Sequence, residues 1–168
     1  MEHRLIVECF ADTLLMRLIR KQQPQHAKGV DEVLKQMDLQ FNRNKTPIVI
    51  GVVDNDKKKW KIFDQEYPQI VSSNRYFDIR KHKERNYFII VIKQAHEDFV
   101  IRSAESVGVD NPKYKTFRDR KSLQKISKNV NIEDNKLYVD FLNTINQKNA
   151  PAFREIELFL TQHLGPVI

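Results

Sequence analysis

Ile48-Val49-Ile50-Gly51-Val52-Val53 runs straight into Asp54-Asn55-Asp56 and then Lys57-Lys58-Lys59. The six leading residues are apolar at consecutive positions, so a strand built from them is buried on both faces. That is the situation of a central strand in a parallel sheet. Its carboxyl end is marked by acids. Ligands of open parallel sheets sit beyond the carboxyl ends of the strands, so the residues closing this run are the first place to look for chemistry.

Similar runs recur on either side. Leu5-Ile6-Val7, within residues 4–8, reads as a short buried strand ending on Glu8. Tyr87-Phe88-Ile89-Ile90-Val91-Ile92 reads as another, with Lys93 at its end. Between strands the apolar spacing turns helical. Leu14, Leu15, Leu18 and Ile19 share a face behind Asp12, which suits a helix cap or first-turn acid. Val33, Leu34, Met37 and Phe41 stripe a helix over residues 31–41, and Phe99, Ile101 and Ala104 belong to one over residues 95–106.

Residues 22–28, with Pro24, read as a polar break. Trp60-Lys61-Ile62-Phe63 reads as a short strand or loop, and residues 64–85 are too polar and charged to assign. From Asn111 the chain is helical and basic, with Lys113, Lys115, Arg118, Arg120, Lys121, Lys125 and Lys128 close together. Two last helices are expected over residues 134–146 and 151–163, with Pro151 at the start of the second.

Apolar strands alternating with amphipathic helices predict an α/β fold. The expectation is a Rossmann-like, mostly parallel sheet with helices on both faces and a helical C-terminal part. One domain is expected across residues 1–168, with a core over about 1–110 and a basic helical extension over about 111–168.

The chain has 168 residues, a net charge of +7 and one cysteine, Cys9. A basic balance favours polyanionic partners, nucleic acid above all. A single cysteine allows no internal disulfide, which suits a reducing compartment, and Cys9 reads as a small buried residue. The first residues lead into about five apolar positions, short of a secretory signal, and no run approaches the roughly 18 apolar residues of a membrane span. A cytoplasmic protein without a membrane partner is expected. Neither a P-loop, nor a Gly-rich dinucleotide turn, nor zinc-type spacing is present.

Glu8 and the Asp54/Asp56 pair each end a strand. If those strands are neighbours, their carboxylates converge, and converging carboxylates repel unless a cation joins them. Hard oxygen ligands suit Mg²⁺ or Mn²⁺, ions that serve phosphodiester chemistry. An Asp-x-Asp after a strand also serves as an ordinary turn. Lys57, Lys58 and Lys93 are candidate contacts to a nucleic-acid backbone, against the plainer reading of solvated lysines. His96, beside Glu97, reads more simply as a surface or helix-cap histidine than as a proton shuttle.

Two motifs carry a resemblance. Glu8-Cys9-Phe10-Ala11-Asp12-Thr13-Leu14-Leu15 resembles the first motif of the Toprim domain, an acid ending strand one followed by a Gly and, four residues on, an Asp. Gly51-Val52-Val53-Asp54-Asn55-Asp56 resembles its second, a strand ending in Asp-x-Asp. Toprim domains occur in topoisomerases, primases, recombination factors and the overcoming-lysogenization-defect nucleases. The resemblance implies that Glu8 is a general acid/base or metal ligand, that Asp12 is a supporting catalytic acid, and that Asp54 and Asp56 hold Mg²⁺. Glu97, in Ala95-His96-Glu97-Asp98-Phe99, resembles a further acid after the third strand in the small, nuclease-like branch. Two departures stand out: Cys9 replaces the usual Gly, and no extra strand is read between Asp12 and Ile48.

The function implied is a Mg²⁺-dependent, Toprim-like enzyme acting on nucleic-acid phosphodiester bonds, a nuclease with room for a partner ATPase. The alternative is a catalytically inactive Toprim-like domain that binds nucleic acid or a partner protein through its basic surface. A receiver-like domain with Asp54 as phospho-acceptor and Lys93 as its partner fits less well, since it wants an acid pair directly after strand one.

Overall fold

The structure is a computed structural model and describes residues 4–44, 48–55 and 60–166. Six strands form one sheet: β1 (Leu5–Val7), β2 (Gln25–His26), β3 (Val49–Asp54), β4 (Gln69–Ser73), β5 (Phe77–Lys81) and β6 (Tyr87–Ile92). Eight α-helices accompany them among the described residues: α1 (Phe10–Arg20), α2 (Val30–Asn44), α3 (Trp60–Glu66), α4 (His96–Ser106), α5 (Lys115–Arg118), α6 (Arg120–Ser127), α7 (Lys136–Gln147) and α8 (Pro151–Leu164). The architecture is α/β with a mostly parallel sheet, as the alternation of patterns predicts.

The chain divides into two compact units. One comprises Met1–Cys9 and Pro24–Ala95, the other Phe10–Gln23 and His96–Ile168. Neither is a continuous stretch, and no division falls near residue 110.

The first unit contains the sheet, in the order β2-β1-β3-β6-β5-β4. β1 pairs parallel with β2 and β3, and β3 pairs parallel with β6; β5 runs antiparallel to β6 and to β4. The continuous apolar runs become its fully buried centre: every residue of β6 and all of β3 up to Val53 is buried. Ile6, Val49, Val53, Tyr87, Ile89 and Val91 face α2 and α3, packing with Val30, Val33, Met37 and Phe63. α2 packs closely over Gly51. A β-carbon there would lie 2.6 Å from Met37 Sδ and 3.0 Å from Val33 Cγ1.

Three stretches of this unit differ from the sequence expectation. The polar break around Pro24 contains β2, two residues long, with Ile6 opposite Gln25 and Val7 opposite His26. Its identity comes from main-chain pairing, not side-chain pattern, and Ala27 N–H donates to Val7 O at 2.8 Å to close it. Trp60-Lys61-Ile62-Phe63 opens a helix, α3, that buries Phe63. The unassigned residues 64–85 include β4 and β5. In β5, Asp78 and Arg80 are as buried as Phe77 and Ile79. Lys93 Nζ neutralises Asp78 at 2.9 Å and Asp64 neutralises Arg80 at 2.8 Å. A strand whose charges are met by tertiary partners hides its periodicity from a hydropathy reading.

The second unit is helical throughout the described residues. α1 packs on α7 and α8, and α4 on α6, α7 and α8. Aromatic rings hold it: Phe99 stacks on Phe153 with centroids 5.8 Å apart, and Phe117 lies 5.4 Å from Tyr138 and 5.2 Å from Phe141. Such pairs add to the free energy of burial itself.

Candidate functional site

The β1–β3 register decides where the first acids fall. Val7 lies opposite Val52, so Glu8 and Asp54 both emerge at the carboxyl end of adjacent parallel strands. Glu8 N–H donates to Val52 O at 3.1 Å, continuing the ladder one step beyond β1. The Glu8 carboxylate then turns along the strand end, and its Oε2 accepts the main-chain N–H of Asp54 at 2.9 Å. One carboxylate thus caps the strand that carries the other. Asp54 continues the pairing with β6 opposite Ile92, and Asn55 N–H donates to Ile92 O at 2.9 Å. Both acids are half-buried, and Asp54 Oδ1 is shielded from solvent. Cys9, expected to be buried, is also only half-buried.

Asp56, Lys57 and Lys58 lie outside the described residues. Among the described residues, no group of three or more His, Cys, Asp or Glu side chains is gathered to hold a metal ion. Glu8 and Asp54 are hard oxygen donors of the kind Mg²⁺ takes one or two at a time. The donor chemistry therefore fits, with Asp56 the further acid that the pattern supplies.

Lys93 closes β6 in the same unit. Its ammonium pairs with Asp78 at 2.9 Å and donates to Asn74 O at 2.6 Å and Ser73 Oγ at 3.2 Å. That places it across the β4–β5 turn, where it compensates a buried carboxylate.

The other two acids belong to the helical unit. Asp12 sits in the first turn of α1 and is fully buried. Its Oδ1 lies 2.7 Å from His96 Nδ1, and His96 Nε2 lies 2.8 Å from the Tyr138 hydroxyl. With the imidazole neutral, the network assigns the proton to Nδ1, which donates to Asp12, while Tyr138 O–H donates to Nε2. His96 stands at the start of α4 but is 2 % exposed, so it is not a surface histidine. Glu97, next along α4, is also buried and accepts a hydrogen bond from Ser127 Oγ of α6.

The structure thus brings Glu8 and Asp54 together in one unit and ties Asp12 and Glu97 to separate partners in the other. Sequence reasoning missed Tyr138 and Ser127. Each sits on a helix face as an ordinary polar or aromatic residue, and nothing local shows that it completes a buried network. No family model, curated protein or solved structure matches the chain. Among the described residues, no helix is long and apolar enough to cross a membrane.

Proposed function

We propose that this chain is a Mg²⁺-dependent, Toprim-like enzyme that acts on nucleic-acid phosphodiester bonds as a nuclease. The observation that supports it is the pairing of Glu8 with Asp54 across the carboxyl ends of two adjacent parallel strands. Carboxylates at that end of an open sheet stand where ligands bind.

Glu8, Asp54 and Asp56 would hold Mg²⁺ or Mn²⁺. A bound ion of this kind supplies positive charge to a phosphate oxygen and lowers the pKa of a coordinated water. The hydrogen bond from Asp54 N–H orients the Glu8 carboxylate. Lys57 and Lys58 would meet the phosphate backbone. The working compartment in this reading is the cytoplasm, and a partner ATPase is compatible with it. A second reading, a domain that binds nucleic acid without cutting it, is favoured by the engagement of Asp12 with His96 and Glu97 with Ser127.

Calorimetric titration with Mn²⁺ separates the two. Wild type is expected to bind saturably, with or without an oligonucleotide to complete the site. Asp54→Ala with Asp56→Ala is expected to lose that binding. Glu8→Gln keeps an acceptor for Asp54 N–H, so it should keep its melting temperature while binding Mn²⁺ at least tenfold more weakly. Absence of Mn²⁺ binding by wild type with oligonucleotide present would remove the catalytic reading.

A further inference from the structure

The positive charge of this chain is concentrated in one place. Residues 111–131 contain seven of the 29 Lys and Arg but one of the 22 Asp and Glu. That segment accounts for +6 of the net +7, and all the rest of the chain is close to neutral. The segment folds into α5, α6 and the turns beside them in the helical unit.

Within α6 the charge is ordered. Lys121, Lys125 and Lys128 follow one another at helical spacing, four and then three residues apart, and lie on one face. Lys128 is the C-terminal cap and keeps helical backbone angles, φ −80° and ψ −7°. Leu123 points the other way and is fully buried. The three lysines are exposed, and no described carboxylate forms an ion pair with any of them. Arg120, by contrast, pairs with Asp98 at 3.2 Å.

Helix stability does not account for this arrangement. Cations suit the carboxyl end of a helix, where Lys125 and Lys128 lie, but Lys121 stands in the first turn, where the helix dipole opposes it. Asp119, the N-terminal cap of α6, offsets Lys121 and Lys125 only in part, and three like charges on one face repel one another. An external polyanion relieves both costs.

We propose that the Lys121–Lys125–Lys128 face of α6 is a docking surface for the phosphate backbone of a nucleic acid. Lysine ammoniums are flexible point charges suited to phosphate oxygens, so backbone contacts of this kind carry no sequence information directly. Seven residues of helix advance by about 10 Å. Over that distance one strand of a duplex presents about three phosphates, one for each lysine. An anionic membrane fits less well. A helix lying in a lipid interface needs an apolar face to insert, and α6 spends its own inside the unit. Val130, just past its end, is exposed, but one valine is not such a face. The surface rests on charge placement and does not depend on the metal-site reading.

The test uses the full chain in EDTA and follows the fluorescence anisotropy of labelled duplex DNA, duplex RNA and their single strands across a salt series. Wild type is expected to bind, with affinity falling steeply as salt rises. Lys121→Ala, Lys125→Ala, Lys128→Ala is expected to bind at least tenfold more weakly. Its log–log salt slope on duplex should be smaller by about 0.9 per lost contact. Lys28→Ala, Lys35→Ala, Lys61→Ala removes the same charge from exposed positions of the sheet unit and should stay within about threefold of wild type. The three Lys→Arg replacements should retain binding. If the triple alanine variant does not fold by circular dichroism, single Lys→Gln variants carry the same comparison.

Equal losses in the two alanine triples, or no binding by wild type at low salt, would overturn the proposal. So would lysine-dependent binding to phosphatidylserine vesicles without nucleic-acid binding. EDTA removes any divalent ion, so this binding is read without the metal site: failure of the metal-site reading leaves the result standing, and the reverse also holds.

Discussion

At the scale of single residues, the buried polar groups are satisfied in linked sets and not singly. Asp12, His96 and Tyr138 come from three helices, and each meets the next at hydrogen-bond distance with at most 2 % exposure. A carboxylate beside an imidazole fixes ring orientation and tautomer, and the hydroxyl satisfies the far nitrogen. Removing one partner leaves a buried acceptor with its full desolvation cost. Tyr138→Phe deletes only the hydroxyl and is expected to lower unfolding free energy by about 1–3 kcal/mol. The urea midpoint should shift with no change in m-value. A midpoint equal to that of wild type would mean that the hydroxyl adds nothing to the network.

At the scale of elements, the contact of α2 with β3 carries the site strand. Gly51 stands midway along β3, and its missing β-carbon is the space that Met37 and Val33 fill. The close approach is a packing requirement, since β3 is ordinary extended strand at that point. Gly51→Ala forces Met37 to move and is expected to cost about 1–3 kcal/mol, as overpacking does. Met37→Ala alone opens a cavity of its own. The double variant should therefore be more stable than the sum of the two losses, by about 0.5–3 kcal/mol in a double-mutant cycle. Strict additivity would show that the sulfur is not what the alanine meets.

For the molecule as a whole, folding stability is expected to fall with acid before the carboxylates titrate. His82 Nδ1 accepts the main-chain N–H groups of Glu84 and Arg85 at 3.0 and 3.2 Å, so the neutral ring carries its proton on Nε2. Burial, then the Arg85 guanidinium, push its pKa below the ordinary 6.5, outweighing Glu66 and Glu84, which pull it up. Burial and Lys28 push His26 the same way. The unfolded chain therefore takes up protons first as pH falls below about 6.5, and stability falls with it until the folded-state pKa values are reached. His82→Asn retains an acceptor for the two N–H groups and cannot titrate. Urea midpoints measured between about pH 7 and about pH 5 should fall less steeply for this variant than for wild type. Parallel slopes would place the acid sensitivity elsewhere.

The sequence by itself determined the elements whose burial is uniform or strictly periodic. The runs ending on Glu8, Asp54 and Lys93 became β1, β3 and β6, and the segments expected as helices behind Asp12 and over residues 31–41, 95–106, 134–146 and 151–163 became α1, α2, α4, α7 and α8. It also marked Glu8 and Asp54 as strand-end acids, because a continuous apolar run stops where the sheet meets solvent. Tertiary structure alone decided the rest. β2 exists through main-chain pairing that leaves no side-chain signature. β5 buries Asp78 and Arg80 because Lys93 and Asp64, distant in sequence, pay their desolvation cost. The adjacency of β1 and β3, on which the meeting of Glu8 with Asp54 depends, is a fact of strand order. So is the membership of α1, which follows β1 in the chain but packs with α7 and α8. Hydrophobic periodicity states which face of an element is buried, and it carries no information about which other element buries it.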